Sequence, residues 1–343
     1  SYTLIQQFRG YSLAAGALLS MLTLVFPALY PIAGMLLWSF AISSLRLLAR
    51  RSLVQSMVLI IVGLAGLGYS LLEGAPAPLY QLINSNTQLL AMLATVSFLS
   101  LIATPANQSK KRLPPAGNKG LISTLASGHF FSAIINVSAL LIIAEKLSDS
   151  RKIDTRTASL LTINFALCAL WSPFFAAMAY TLSLVPDMNM LAVMSVGAPM
   201  GLISLAMLYW LHKIPESTLT GYPLMGRSLV LPALLALTVI VAHQLWPTIA
   251  ITQIIAITAS LLVIVVLIYE GRASQLRLHI SNRLANMHNE VTLFLAAGVF
   301  AIGLGALFKI TPPWLPFTHY GPLEACLTLG CCLIAARLGV HVI

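Results

Sequence analysis

An all-α, multi-pass membrane fold follows from three features of this 343-residue chain. Only 8% of its residues are charged, against about 25% in an ordinary soluble domain. Hydrophobic residues make up 59%, with a mean hydropathy of +0.92. They gather into about ten runs near the roughly 20 residues that a helix needs to cross the hydrocarbon core. Finally, 19 Lys and Arg outnumber nine Asp and Glu and collect between the runs. Basic short loops are the mark of the cytoplasmic side.

In a soluble protein a net charge of +10 would suggest nucleic acid. Here the bases sit where topology needs them, so no nucleic-acid partner is expected. Cys168, Cys326, Cys331 and Cys332 lie inside apolar runs with no CxxC and no His at metal spacing. They read as small packing residues, and no metal or resident cofactor is expected. "LIQQFRGYSLAAG" lacks the small-residue cleavage pattern of a secretory leader.

The elements follow in order. Residues 11 to 45 hold two short apolar arms around "FPALYP", because Pro27 and Pro31 disfavour one continuous helix. Arg46, Arg50 and Arg51 then mark a cytoplasmic turn. Residues 52 to 72 run outward to "EGAPAP", and 85 to 104 return to Lys110, Lys111, Arg112 and Lys119. Further on, 157 to 185 lead out, 189 to 211 return to Lys213 and Arg227, 228 to 245 go out, and 249 to 269 return to Arg272, Arg277 and Arg283. "GRASQLRLHISNRLANMH" (271 to 288) reads as an interfacial helix. Residues 291 to 308 go out and 321 to 337 come back, leaving Lys309 as the basic residue on the wrong side. Trp246 and Trp314 fall at outer interfaces and Trp210 at an inner one, as aromatic belts require. Ala297, Ala301 and Gly305 form a small-xxx-small stripe expected to pack against another helix.

"LISTLASGHFFSAIINVSALLIIAEKL" (121 to 147) breaks this alternation. It lies between Lys119 and the bases Lys146, Arg151, Lys152 and Arg156. One crossing would invert every later loop against its own charge. About 25 residues are too few for two full spans, so a re-entrant hairpin over residues 120 to 145 is expected. Unwound backbone at membrane depth must be buried in protein or line a cavity, and Ser127, Gly128, His129, Ser132, Asn136 and Ser138 suit such a tip. An ordinary helix carrying a few Ser and Asn residues is the alternative. The next run, 157 to 185, carries Pro173 near its middle, preceded by Trp171 and Ser172, with Asn164 about two turns earlier. Proline removes a backbone hydrogen bond and crowds the preceding turn. A broken helix is expected there.

A cytoplasm-facing hairpin followed by a discontinuous helix resembles the first repeat of the ion transporter superfamily, which includes divalent anion/sodium symporters and arsenite-efflux-like carriers. The resemblance runs over roughly residues 50 to 210. It implies that the hairpin tip and the helix break form half of a binding site, with a second, inverted repeat beyond it. The symporters carry a Ser-Asn-Thr signature at the tip. "INVSA", with Asn136 and Ser138, is taken as its nearest match, and "WSP" stands at the helix break.

These readings predict two transmembrane halves, 1 to 220 and 221 to 343, the second apparently interrupted at "RLGVHVI". They predict a non-enzymatic secondary transporter of a bacterial inner membrane, with a cytoplasmic N-terminus. Its cargo is a small, anionic solute or ion, moved by alternating access in contact with membrane lipid, and a homodimer is compatible. Ser127, Gly128, Asn136, Ser138, Asn164 and Ser172 are the expected solute-binding residues. His129 is the proton-coupling candidate, with Na+ or H+ as the coupling ion. Glu290 and Glu324 are the acids nearest the membrane runs. The chain has no HExxH, GxSxG or Gly-rich phosphate loop. The alternatives are a membrane enzyme or flippase for a lipid-linked substrate, or a scaffold subunit of a membrane complex.

Overall fold

The computed structural model describes residues 2–103, 115–148, 153–184, 188–213, 221–222 and 226–310. Outside them lie the bases Lys110, Lys111, Arg112, Arg151 and Lys152, together with Trp314, Glu324, three of the four cysteines and the expected run from 321 to 337.

Every regular element among the described residues is helical. α1 (Tyr2–Leu22) and α2 (Tyr30–Ser44) are the two expected arms, separated by a short 3-10 turn at Pro27–Leu29. α1 starts well before residue 11, so the polar segment with Gln6, Gln7 and Arg9 is helical too. There follow α3 (Arg50–Leu72), α4 (Leu79–Ile83), α5 (Thr87–Ser97), α6 (Ser100–Ala103), α7 (Gly117–Ile135) and α8 (Val137–Ser148). The next are α9 (Thr155–Leu167), α10 (Ala176–Leu184), α11 (Met190–His212) and α12 (Gly226–Leu245). α13 (Ile251–Tyr269), α14 (Ser274–Asn282) and α15 (His288–Ile310) complete the described chain.

Among the described residues, six stretches are long and apolar enough to cross a membrane: 27–47, 50–72, 79–102, 190–212, 251–269 and 288–306. The sequence suggests about ten elements because short apolar helices count there too. α7 and α8 are 19 and 12 residues long, and α9 and α10 are 13 and 9. The spans wear their apolar side chains outside: Leu72 is 87% exposed, Trp210 72% and Tyr269 90%. Such a shell suits lipid and not water.

Contacts divide the chain into two units. The first comprises Ser1–Gln55 with Ile83–Leu295. One core cluster in it joins Leu13, Leu37, Phe40, Leu90 and Leu295. A second joins Leu125, Ile143, Phe174, Leu235 and Ile255. The second unit comprises Ser56–Leu82 with Ala296–Ile343. There the α3–α15 contact is made by glycine: a methyl group on Gly63 would lie 2.6 Å from the Val299 carbonyl oxygen, and one on Gly66 2.7 Å from that of Gly303. The expected stripe is displaced. Ala301 and Gly305 are exposed, and Gly303 takes their place in the contact.

Candidate functional site

α7 ends at Asn136, whose φ of 57° and ψ of −140° reverse the chain, and α8 begins at the next residue. A methyl group on Gly128, eight residues before the turn, would lie 3.6 Å from Cδ1 of Ile143, seven residues after it. The two helices therefore run back alongside one another. Backbone with positive φ and such a ψ is costly for any side chain. The surrounding contacts hold it in place: the Asn136 amide nitrogen donates to the carbonyl of Phe174 at 3.3 Å.

The helix opposite is interrupted. α9 tightens into a 3-10 turn at Cys168–Leu170, the backbone departs from helix at Trp171, and α10 resumes at Ala176. Pro173 lies within the gap, as its missing N–H requires. The Ser172 hydroxyl donates to the carbonyl of Ala133, in the last turn of α7, and accepts from the Phe174 amide at 3.2 Å. Lower down, the Asn164 side chain donates to the carbonyl of Leu125 at 2.9 Å. A methyl group on Gly128 would meet that Asn164 nitrogen at 2.6 Å, so glycine is what lets α9 come this close. Three polar side chains thus satisfy carbonyls across the junction, as buried polar groups must.

His129 is fully buried at the centre. Its Nε2 accepts from the Trp171 indole N–H at 3.0 Å. Indole only donates, so a neutral ring in this arrangement carries its proton on Nδ1. That nitrogen faces Sγ of Cys168 at 3.5 Å, while the thiol donates to the His129 carbonyl at 3.2 Å. Protonating His129 further means breaking the Trp171 contact.

Of the expected site residues, Gly128, His129, Asn136, Asn164 and Ser172 come together here. Ser127 is on the same stretch of α7, fully buried, with a hydroxyl that has no partner among the described residues. Ser138 is the second residue of α8, and its side chain lies outside what the structure describes. Trp171 and Cys168, read from sequence as neighbours or packing, are direct partners of His129. α11 closes the junction from behind: a methyl group on Gly197 would strike the Leu170 carbonyl, and one on Gly201 would touch Trp171 at 3.1 Å. No Asp, Glu, Lys or Arg takes part in these contacts. The contacts are made by neutral side-chain and backbone dipoles at the ends of half-helices.

A second break lies between α4 and α5, within the apolar stretch 79–102. Asn86 has φ 54° and donates to the Phe294 carbonyl at 2.6 Å, so it leaves the first turn of α5 uncapped. The hydroxyls of Ser85 and Thr87 are buried without a partner among the described residues. Gly34 of α2 makes room for the Ile83 carbonyl and the Asn84 side chain. Five consecutive polar residues, Asn84 to Gln88, mark the break in the sequence. They include the triplet Ser85-Asn86-Thr87. Family models, curated proteins and solved structures all fail to match the chain, so the geometry of its own breaks carries the functional reading.

Proposed function

We propose that this chain is a secondary transporter that moves a small, anionic solute across a bacterial inner membrane by alternating access, with its N-terminus in the cytoplasm. The observation that carries the reading is the junction between a one-residue helical turn and a broken helix, held by Asn136, Asn164 and Ser172. Half-helix ends concentrate unpaired N–H and C=O groups where a solute or a coupling Na+ or H+ can meet them without a buried carboxylate. The resemblance to the ion transporter superfamily points the same way, with the hairpin as a re-entrant element entered from the cytoplasm. In this conformation Asn136, Asn164 and Ser172 are engaged by backbone carbonyls, while the buried Ser127 hydroxyl has no partner among the described residues. Transport then requires that a solute or ion exchange for the Ser172–Ala133 and Asn136–Phe174 bonds.

The test is flux in proteoliposomes loaded with candidate small anions, comparing wild type with Asn136→Ala, Ser138→Ala and Ser172→Ala. Transport should fall by tenfold or more in at least the Asn136 and Ser172 variants, the loss of one or two hydrogen bonds to a bound charge. Measurable transport that is indifferent to all three would place the site elsewhere. A scaffold role is the second reading, favoured by the same side-chain-to-carbonyl hydrogen bonds: a purely structural joint would look alike. It predicts no flux of any anion and a lower Tm in Ser172→Ala.

A further inference from the structure

Arg9 lies in the third turn of α1 and is only 2% exposed. Its Nε has no hydrogen-bond acceptor, and among the described residues no carboxylate pairs with its guanidinium. An arginine cannot shed its charge to escape burial. Buried charges are paired or they are very costly. A buried guanidinium edge whose Nε has no acceptor among the described residues is a place where an anion would be stabilised.

The surroundings favour an oxyanion. Gln6, one turn earlier, donates to the carbonyl of Ser281 at 3.1 Å, and a methyl group on Gly10 would collide with the carbonyl of Ile280. This face of α1 is thus pressed against the end of α14. His288, at the start of α15, lies within electrostatic reach of Arg9, and its Nδ1 is buried with no partner among the described residues. Glu290, two residues on, is exposed and also acts on His288, more strongly than Arg9 does, but makes no ion pair with Arg9. Arg283, immediately after α14, adds positive charge to the elements packed on α1, whereas Arg272 is paired with Glu270.

We propose that Arg9, with His288 beside it, forms a binding site for a phosphate-type oxyanion, clasped by the planar guanidinium fork. The site uses α1, α14 and α15, none of which belongs to the hairpin junction, so it does not rest on the transport reading. The same chemistry is offered by free phosphate and by the headgroup of an anionic phospholipid.

The full chain, purified in detergent and stripped of lipid, distinguishes these sources. Its Tm is followed against inorganic phosphate at matched ionic strength, and separately against phosphatidylglycerol with phosphatidylcholine as control. One of the two should raise the wild-type Tm by about 3 °C or more at saturation. Phosphate acting alone identifies a soluble oxyanion, and phosphatidylglycerol acting alone identifies a lipid headgroup. Arg9→Met should abolish that shift, and without anion it should be at least as stable as wild type, because it removes an unpaired buried charge. Arg277→Met, at an exposed position, should keep the full shift. Arg9→Lys retains the charge without the fork and serves if the Met variant does not fold; its shift should shrink to half or less. A wild type that responds to neither anion, an Arg9→Met that keeps the shift, or an anion-free Arg9→Met less stable than wild type would each overturn the proposal.

Discussion

Single residues decide how the hairpin junction is held. His129 is fixed by one donor, the Trp171 indole, at 3.0 Å. Trp171→Phe keeps most of the ring volume and leaves Nε2 buried without a partner, which should cost about 1–3 kcal/mol. A lower Tm in detergent, measured beside His129→Ala, would verify it. His279 on α14 offers a second residue-scale test. Burial, and then the Arg283 charge, lower its pKa from 6.5 to about 4. Its Nε2 lies 2.9 Å from the Ser97 hydroxyl and its ring 4.4 Å from that of Phe98. The unfolded chain therefore binds a proton that the folded one refuses between those two pH values. Stability from this group is complete above pH 6.5 and falls as pH drops toward 4, by on the order of 3 kcal/mol. His279→Gln should flatten that part of the profile in unfolding measured between pH 7 and pH 4.5. Residue roles were the least legible part of the sequence. Nothing in an apolar run marks Cys168 or Trp171 as the partner of a histidine about 40 positions earlier, because helical periodicity says which face a residue takes and not what it meets there.

At the scale of elements, breaks were more legible than contacts. Pro173 announces the interruption between α9 and α10 by its chemistry, and the Ser, Gly and Asn content of 127 to 138 announces a turn. The position of the turn within that window came only from the fold, where Asn136 alone takes positive φ. Asn136→Gly should relieve the backbone and raise stability by about 1 kcal/mol, whereas Asn136→Val should lower it. Thermal unfolding of the pair checks the sign. If the amide serves transport, the glycine variant is the more stable protein and the poorer transporter. Behind the break, Gly197→Leu would drive a side chain into the Leu170 carbonyl and should cost about 3 kcal/mol or more, read as lost folded yield and lower Tm. The glycines of α11 are visible in the sequence as a GxxxG pair, yet which helix they admit is a tertiary fact.

For the whole molecule, the strongest expectation concerns sidedness. If α7 and α8 enter and leave the membrane from one side, single cysteines replacing Lys119 and Lys146 should both react with an impermeant thiol reagent from the cytoplasmic face in a background lacking the native cysteines. Labelling from opposite faces would make the segment a single crossing and invert every later loop against its charge. Composition foretold the broad class well, since chain-wide hydropathy depends on no particular contact. Six spans stand among the described residues, and the shorter helices α8, α9 and α10, of 9 to 13 residues, contribute apolar runs without the length to cross.

By itself the sequence determined that this is a helical protein with a lipid-facing exterior and polar interruptions in its apolar runs. These properties are sums over local residues, and water and lipid sort them before any long-range contact forms. Tertiary structure decided which interruptions meet. Asn136 finds Phe174 across 38 residues and Ser172 finds Ala133 across 39. It also carried Arg9, a residue that charge topology would leave in water, into the interior. Such pairings depend on how whole helices pack, and glycines such as Gly128 and Gly197 set how closely they can approach.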